Sequence, residues 1–138
     1  MKLTTLLLFF SLISFGQNLT KHKWQKRVLL VFTEDKNDTD FRNYVLEIDK
    51  KQHQFLERKL ILYKFNTTSY GVNFEREWIN SSNLYSTFIL EKTKFKTILI
   101  GLDGAVKQTA NKLIPLDNIF TSIDGMPMRK RELEKNKK

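Results

Sequence analysis

The stretch KRVLLVFT, Lys26–Thr33, decides the fold. Val28–Phe32 are apolar without a break, the pattern of a strand covered on both faces and not of one alternating between core and water. The polar run EDKNDTD, Glu34–Asp40, comes next. Phe41, Tyr44, Val45, Ile48, Phe55 and Leu56 then recur at mostly helical spacing. This predicts one helix of about four turns, with Asp38 or Asp40 able to cap its first turn. LILYKF, Leu60–Phe65, is a second covered strand. A helix joining two such strands crosses over right-handedly and leaves them parallel.

Outward from this unit, Asn66–Asn80 shows no period and reads as irregular, with Gly71, Phe74 and Trp78 inside it. Leu84, Phe88, Glu91 and Phe95 predict a second helix, and KTILIG, Lys96–Gly101, a third strand. LDGA, Leu102–Ala105, places Asp103 and Gly104 between two apolar segments, a hairpin signal leading into a fourth strand around Ala105–Thr109. Leu116, Ile119, Phe120 and Ile123 form one apolar face of a last helix, started near Pro115 and stopped at Gly125. Strand, helix, strand, helix, hairpin and final helix is the thioredoxin-like order. The expected class is therefore α/β, a mixed four-stranded sheet flanked by helices. One domain accounts for residues 24–138, including a basic helical tail, with 17–23 as a short N-terminal segment.

The first residues, MKLTTLLLFFSLISFGQ, carry one positive charge at Lys2, an apolar run from Leu6 to Phe15, and small residues at Ser14 and Gly16 ahead of Gln17. This is the pattern of a signal peptide spanning residues 1–16, with a retained membrane anchor as the alternative. The chain is read as bacterial and as periplasmic or secreted, with no transmembrane segment after cleavage. The formal charge of +9 becomes +8 once Lys2 is removed. Such a charge serves solubility, or it attracts an acidic partner. For an exported chain the expected partners are an envelope protein or an anionic glycan or lipid surface, and no nucleic acid. There is no cysteine, so disulfides and thiol chemistry are excluded, and no cofactor is expected.

Several separated segments, KWQKRVLLVF, LERKLILYKF, IGLDGAVK and IDGMPMRKRE, resemble the bacterial family known as domain of unknown function 4174. Its eukaryotic relatives are domains of sushi-repeat-containing proteins and of coiled-coil-domain-containing protein 80. Gly101, Asp103, Gly104 and Lys107 match one specific motif, and Asp124, Met126, Pro127, Met128, Arg129 and Glu132 match the other. Trp24, Arg27 and the pair Glu57, Arg58 match more general positions. The resemblance implies a thioredoxin-like fold and a secreted or periplasmic setting, with no assigned activity. Compared with thioredoxins and peroxiredoxins, the cysteines between first strand and first helix are missing. So is the proline before the third strand, where Lys96 and Thr97 stand.

Three places offer chemistry. Glu34–Asp40 lies where thioredoxin-like proteins act, and Asp35 and Asp38 are weak candidates for a cation site. Capping of the following helix accounts for the same residues. A cation-dependent enzyme using this loop is the alternative to a binding module. His22 and His53 have no triad partner in sequence and read as surface residues. In IDGMPMRKRE, Gly125 is expected in the left-handed conformation that closes a helix, with Pro127 opening another turn. Met126 and Met128 would fill core gaps, line a partner surface, or supply two thioethers to copper(I). Asp124, Arg129 and Glu132 are placed to pair across this corner. The tail from Arg129 to Lys138 has six basic and two acidic residues. It is a solvated helix end or a patch for an anionic partner, with Arg129, Lys130, Arg131 and Lys107 as binding candidates.

Overall fold

The computed structural model describes residues 19–80 and 93–137. β1 (Arg27–Thr33) is buried at all seven positions, as its unbroken apolar run requires. It pairs in parallel with β2 (Leu60–Phe65) and antiparallel with β5 (Phe95–Ile100). With β3 (Ser69–Val72), β4 (Ile79–Asn80) and β6 (Val106–Ala110), the described residues form a sheet of six strands in the order β4-β3-β2-β1-β5-β6, so the two strands named first by the sequence lie at its centre.

Two of the six strands fall where the sequence shows no period. β3 (Ser69–Val72) returns antiparallel along β2, and the two-residue β4 (Ile79–Asn80) pairs with β3. The turn is built by Asn66, whose Oδ1 accepts from the backbone N–H groups of Thr68 and Ser69 and from the Ser69 hydroxyl. A side-chain turn of this kind leaves no mark in the spacing of apolar residues. The expected helix over Leu84–Phe95 lies mostly outside the described residues, and Phe95 itself opens β5.

The single helix expected after Asp38 is two: α1 (Thr39–Lys50) and α2 (Gln52–Glu57), broken at Lys51, whose φ and ψ are −111° and 24°. Asp38 caps α1, accepting from the N–H groups of Asp40 and Phe41. Phe41, Ile48 and Phe55 enter the core, while Leu56 is 62% exposed. β6 (Val106–Ala110) forms the expected hairpin with β5, one residue later than anticipated. Its turn needs Gly104, whose φ is +83°. α3 (Leu116–Asp124) follows Pro115 and buries Leu116, Ile119, Phe120 and Ile123.

The two sheet faces carry different cores. Leu29, Val31, Leu60, Leu62 and Leu99 meet α1, α2 and α3 on one face. Val28, Leu30, Phe32, Tyr63 and Phe65 cluster on the other. α4 (Pro127–Asn136) begins two residues after α3 ends. Its only buried residue is Arg129, so it is not held by an apolar stripe.

Candidate functional site

What holds α4 is charge. The corner between α3 and α4 forms as expected, with Pro127 as the first helical residue, but Gly125 is not left-handed. Its φ and ψ are −81° and −9°, so α3 ends in a right-handed conformation that needs no glycine. Arg129 reaches back under the corner. Its Nε donates to Asp124 Oδ1 at 3.1 Å, Nη1 to the Glu57 carbonyl at 3.1 Å, and Nη2 to Glu57 Oε1 at 3.2 Å. Arg58 donates to both Asp124 oxygens, at 3.1 and 2.9 Å, and stacks over Phe120. Arg27, at the start of β1, donates to the Arg58 carbonyl at 2.8 Å and to both Glu132 oxygens at 3.3 Å.

Asp124 ends α3, where a carboxylate opposes the helix dipole. Burial works against its charge, yet the Arg58 and Arg129 hydrogen bonds outweigh burial and hold its pKa below the ordinary 3.8. Burial also opposes the charge of Arg129, and Asp124 and Glu57 reverse that effect, raising its pKa. The linkage has one sign. A depressed folded pKa stabilises fully above the unfolded value, and that stability is lost as pH falls through the folded one. Thermal melts are therefore expected to lose stability below a pH of about 4. Asp124→Asn, less stable at neutral pH, should show a shallower acid limb. An unchanged acid limb would count against this pairing.

Above the corner lies a groove of about 570 Å³, within the size range of ligand sites. Leu102, Asp103 and Lys107 of the hairpin form one side, and Met126, Pro127 and Met128 the other, with Arg27 among the lining residues. The two specific motifs of the sequence thus converge on one concave surface. Arg27 is 0% exposed and its Nε–H has no hydrogen-bond acceptor. Met126 also packs against the main core, whereas Met128 is half-buried outside it. Lys107 pairs with Asp103 at 2.9 Å. Gly101 keeps this pair compact, since a Cβ there would stand 2.5 Å from Lys107 Cε.

The other candidates disperse. Arg129, a candidate for surface binding, is 1% exposed and occupied by its ion pairs, while Lys130 and Arg131 are exposed on α4. Asp38 is taken up by its cap and by Lys94 at 2.8 Å, a pair that lowers its pKa. Asp35 Oδ1 accepts from the Asn37 N–H. Among the described residues no group of three or more His, Cys, Asp or Glu side chains is placed to hold a metal ion. His53 is exposed, but His22 is half-buried and shares a 2.6 Å hydrogen bond with Tyr63, so the surface reading holds for one histidine only. Burial, with Lys21 and Lys26 adding to it, lowers the His22 pKa. Trp24 is 59% exposed with a φ of 69°, its N–H bonded to the Leu102 carbonyl.

A cysteine-free, thioredoxin-like α/β domain is the class that this fold defines. The profile of the family described as "Domain of unknown function (DUF4174)" matches residues 18–132, and the chain belongs to that family. Among solved structures it is similar to a reduced 2-Cys peroxiredoxin of Plasmodium vivax, at 18% identity and a TM-score of 0.61, over 82% of this chain and 84% of that one. It is also similar to the mitochondrial 2-Cys peroxiredoxin of Plasmodium falciparum, at 13% identity and a TM-score of 0.54, over 77% and 78%. Both likenesses concern the fold. No curated protein matches significantly.

Proposed function

We propose that the protein is an exported, non-redox binding module whose partner is an envelope protein, taken through an acidic segment with an apolar anchor. The observation that carries this is the convergence of both motifs on the 570 Å³ groove, with a buried, incompletely satisfied arginine among its lining residues. Methionine walls accommodate varied apolar side chains, Lys107 lines the groove, and α4, which carries Met128, also carries the exposed Lys130 and Arg131. Export rests on the signal-peptide pattern of residues 1–16. No helix among the described residues is long and apolar enough to cross a membrane. A cation-dependent enzyme is less well supported, because Asp35 and Asp38 are engaged in turn and cap bonds.

The test uses a labelled peptide with leucine and phenylalanine anchors among aspartates and glutamates, and a lysine-flanked counterpart. Anisotropy should detect binding of the acidic peptide alone, weakened about tenfold by Met128→Gln through lost apolar contact. Heparin and lipopolysaccharide are assayed beside it by thermal shift. A shift with either that vanishes at moderate salt, without peptide binding, would transfer the role to an anionic polymer. Silence from all three probes would overturn the groove as a binding site.

A further inference from the structure

Lys64 breaks the apolar run of β2, and its side chain lies on the helix-bearing face of the sheet at 4% exposure. An ammonium so placed is costly unless its donors are satisfied. Its Nζ donates to the Glu75 carbonyl at 3.2 Å and stands 5.6 Å from the centre of the Trp78 ring. An ammonium has three donors, so this leaves capacity for a further acceptor. The strand opposite makes room for it. Lys64 faces Gly71 across the β2–β3 ladder, and a Cβ at Gly71 would lie 3.1 Å from Lys64 Cε. A sheet that needed only to be filled would carry an apolar pair here.

Beside Lys64 is a cavity of about 260 Å³ between α1 and the segment 73–78. Phe41, Val45, Phe74 and Trp78 give it apolar walls. Its charged lining is Lys36, Arg42, Lys64 and Arg76 against Asp49 and Glu75, an excess of positive charge. Lys36 also lies 5.6 Å from the Trp78 ring centre. The site sits beyond the middle of the parallel pair towards its carboxyl end, where open α/β sheets receive ligands, whereas Arg27 and the motif groove mark the opposite end. Burial lowers the Lys64 pKa, with Asp49 and Glu75 opposing the shift, which is the signature of a cation short of a close anionic partner.

We propose that this cavity binds a small carboxylate with an apolar body, its carboxylate on Lys64 and its body against Trp78 and Phe74. One buried ammonium within apolar walls matches a monoanion. A dianion would call for more than one buried cation. The volume lies below the roughly 300–1,000 Å³ of sites for drug-sized ligands, which sets the ligand at the size of a small aromatic or branched acid.

Trp24→Phe leaves Trp78 as the sole indole, a reporter inside the cavity. The protein carrying this change is titrated with phenylacetate, isovalerate, phenethylamine and inorganic phosphate. The expected result is a saturable change in Trp78 emission with at least one carboxylate and none with phenethylamine or phosphate. Lys64→Met keeps the apolar stem and should weaken the carboxylate about ten- to hundredfold. Gly71→Ala, which presses on that stem, should weaken it less. Lys112→Gln, an exposed lysine outside the cavity lining, should bind as the parent does. No saturable response to either carboxylate, an equal response to phenethylamine or phosphate, or undiminished binding by Lys64→Met would overturn the proposal. Because the readout is Trp78 and not peptide anisotropy, its failure is separate from failure of the motif groove.

Discussion

Arg129→Ala is expected to lower the melting temperature by roughly 10 °C, a loss of about 3 kcal/mol. Removing one member of a buried ion pair costs about 3–5 kcal/mol when the abandoned partner stays buried. Here the abandoned carboxylates are partly wet, with side-chain exposures of 37% for Asp124 and 45% for Glu57, so they recover some hydration and the lower end applies. The rest of the loss is geometric. Asp124 keeps Arg58 alone to offset the negative end of α3, the Glu57 carbonyl loses its donor, and α4 loses its single buried side chain. Arg129→Lys retains the charge without a fork that spans Asp124 and Glu57, and should recover only part of the loss. Lys130→Ala, exposed on the same turn, should change stability by no more than about 0.5 kcal/mol. If Arg129→Ala melts with Lys130→Ala, α4 is held by something other than this network.

The same network shows where a sequence can be read and where it cannot. β1, β2, β5, β6 and α3 announce themselves because each has an unbroken apolar run, a turn glycine or a helical stripe, and these signals come from neighbours in the chain. Their order was enough for the thioredoxin-like class. β3 and β4 are legible only through the Asn66 turn and the pairing of Gly71 with Lys64, which are facts about two strands together. In the corner motif, Asp124, Arg129 and Glu132 were recognisable as a group able to pair. That Arg129 points inward was not, because a basic run on a short helix reads as solvated. Its partner Glu57, which takes hydrogen bonds from it through both carbonyl and carboxylate, lies 72 residues away in the chain. Lys64 did carry a local sign, a lysine inside LILYKF, which a reading tuned to apolar runs absorbs into the strand.

Phe55 and Leu56 put that distinction to a direct test, since apolar character alone treats them alike. Phe55→Ala is expected to cost about 3–5 kcal/mol, and Leu56→Ser to fall within about 0.5 kcal/mol of the parent, both measured by denaturant unfolding. Phe55 is 0% exposed and meets Phe74 and Phe120 edge-on at 5.7 and 5.6 Å. Phe55 follows Phe41 and Ile48 at intervals of seven residues and keeps their face, whereas Leu56, the next residue, is turned about 100° from it and faces water. A six-residue helix cannot sustain itself on propensity, and Phe55 is its only buried side chain. Its loss reaches further than a cavity. α2 supplies the Glu57 carbonyl and carboxylate to Arg129 and leads into Arg58, so a loosened α2 slackens both arginine clasps on Asp124. Phe55→Ala and Arg129→Ala should therefore be less than additive, the double variant losing measurably less than the summed singles. Full additivity would mean that the core beneath α2 and the charged corner beside it are independent. The motif groove would then rest on the corner alone.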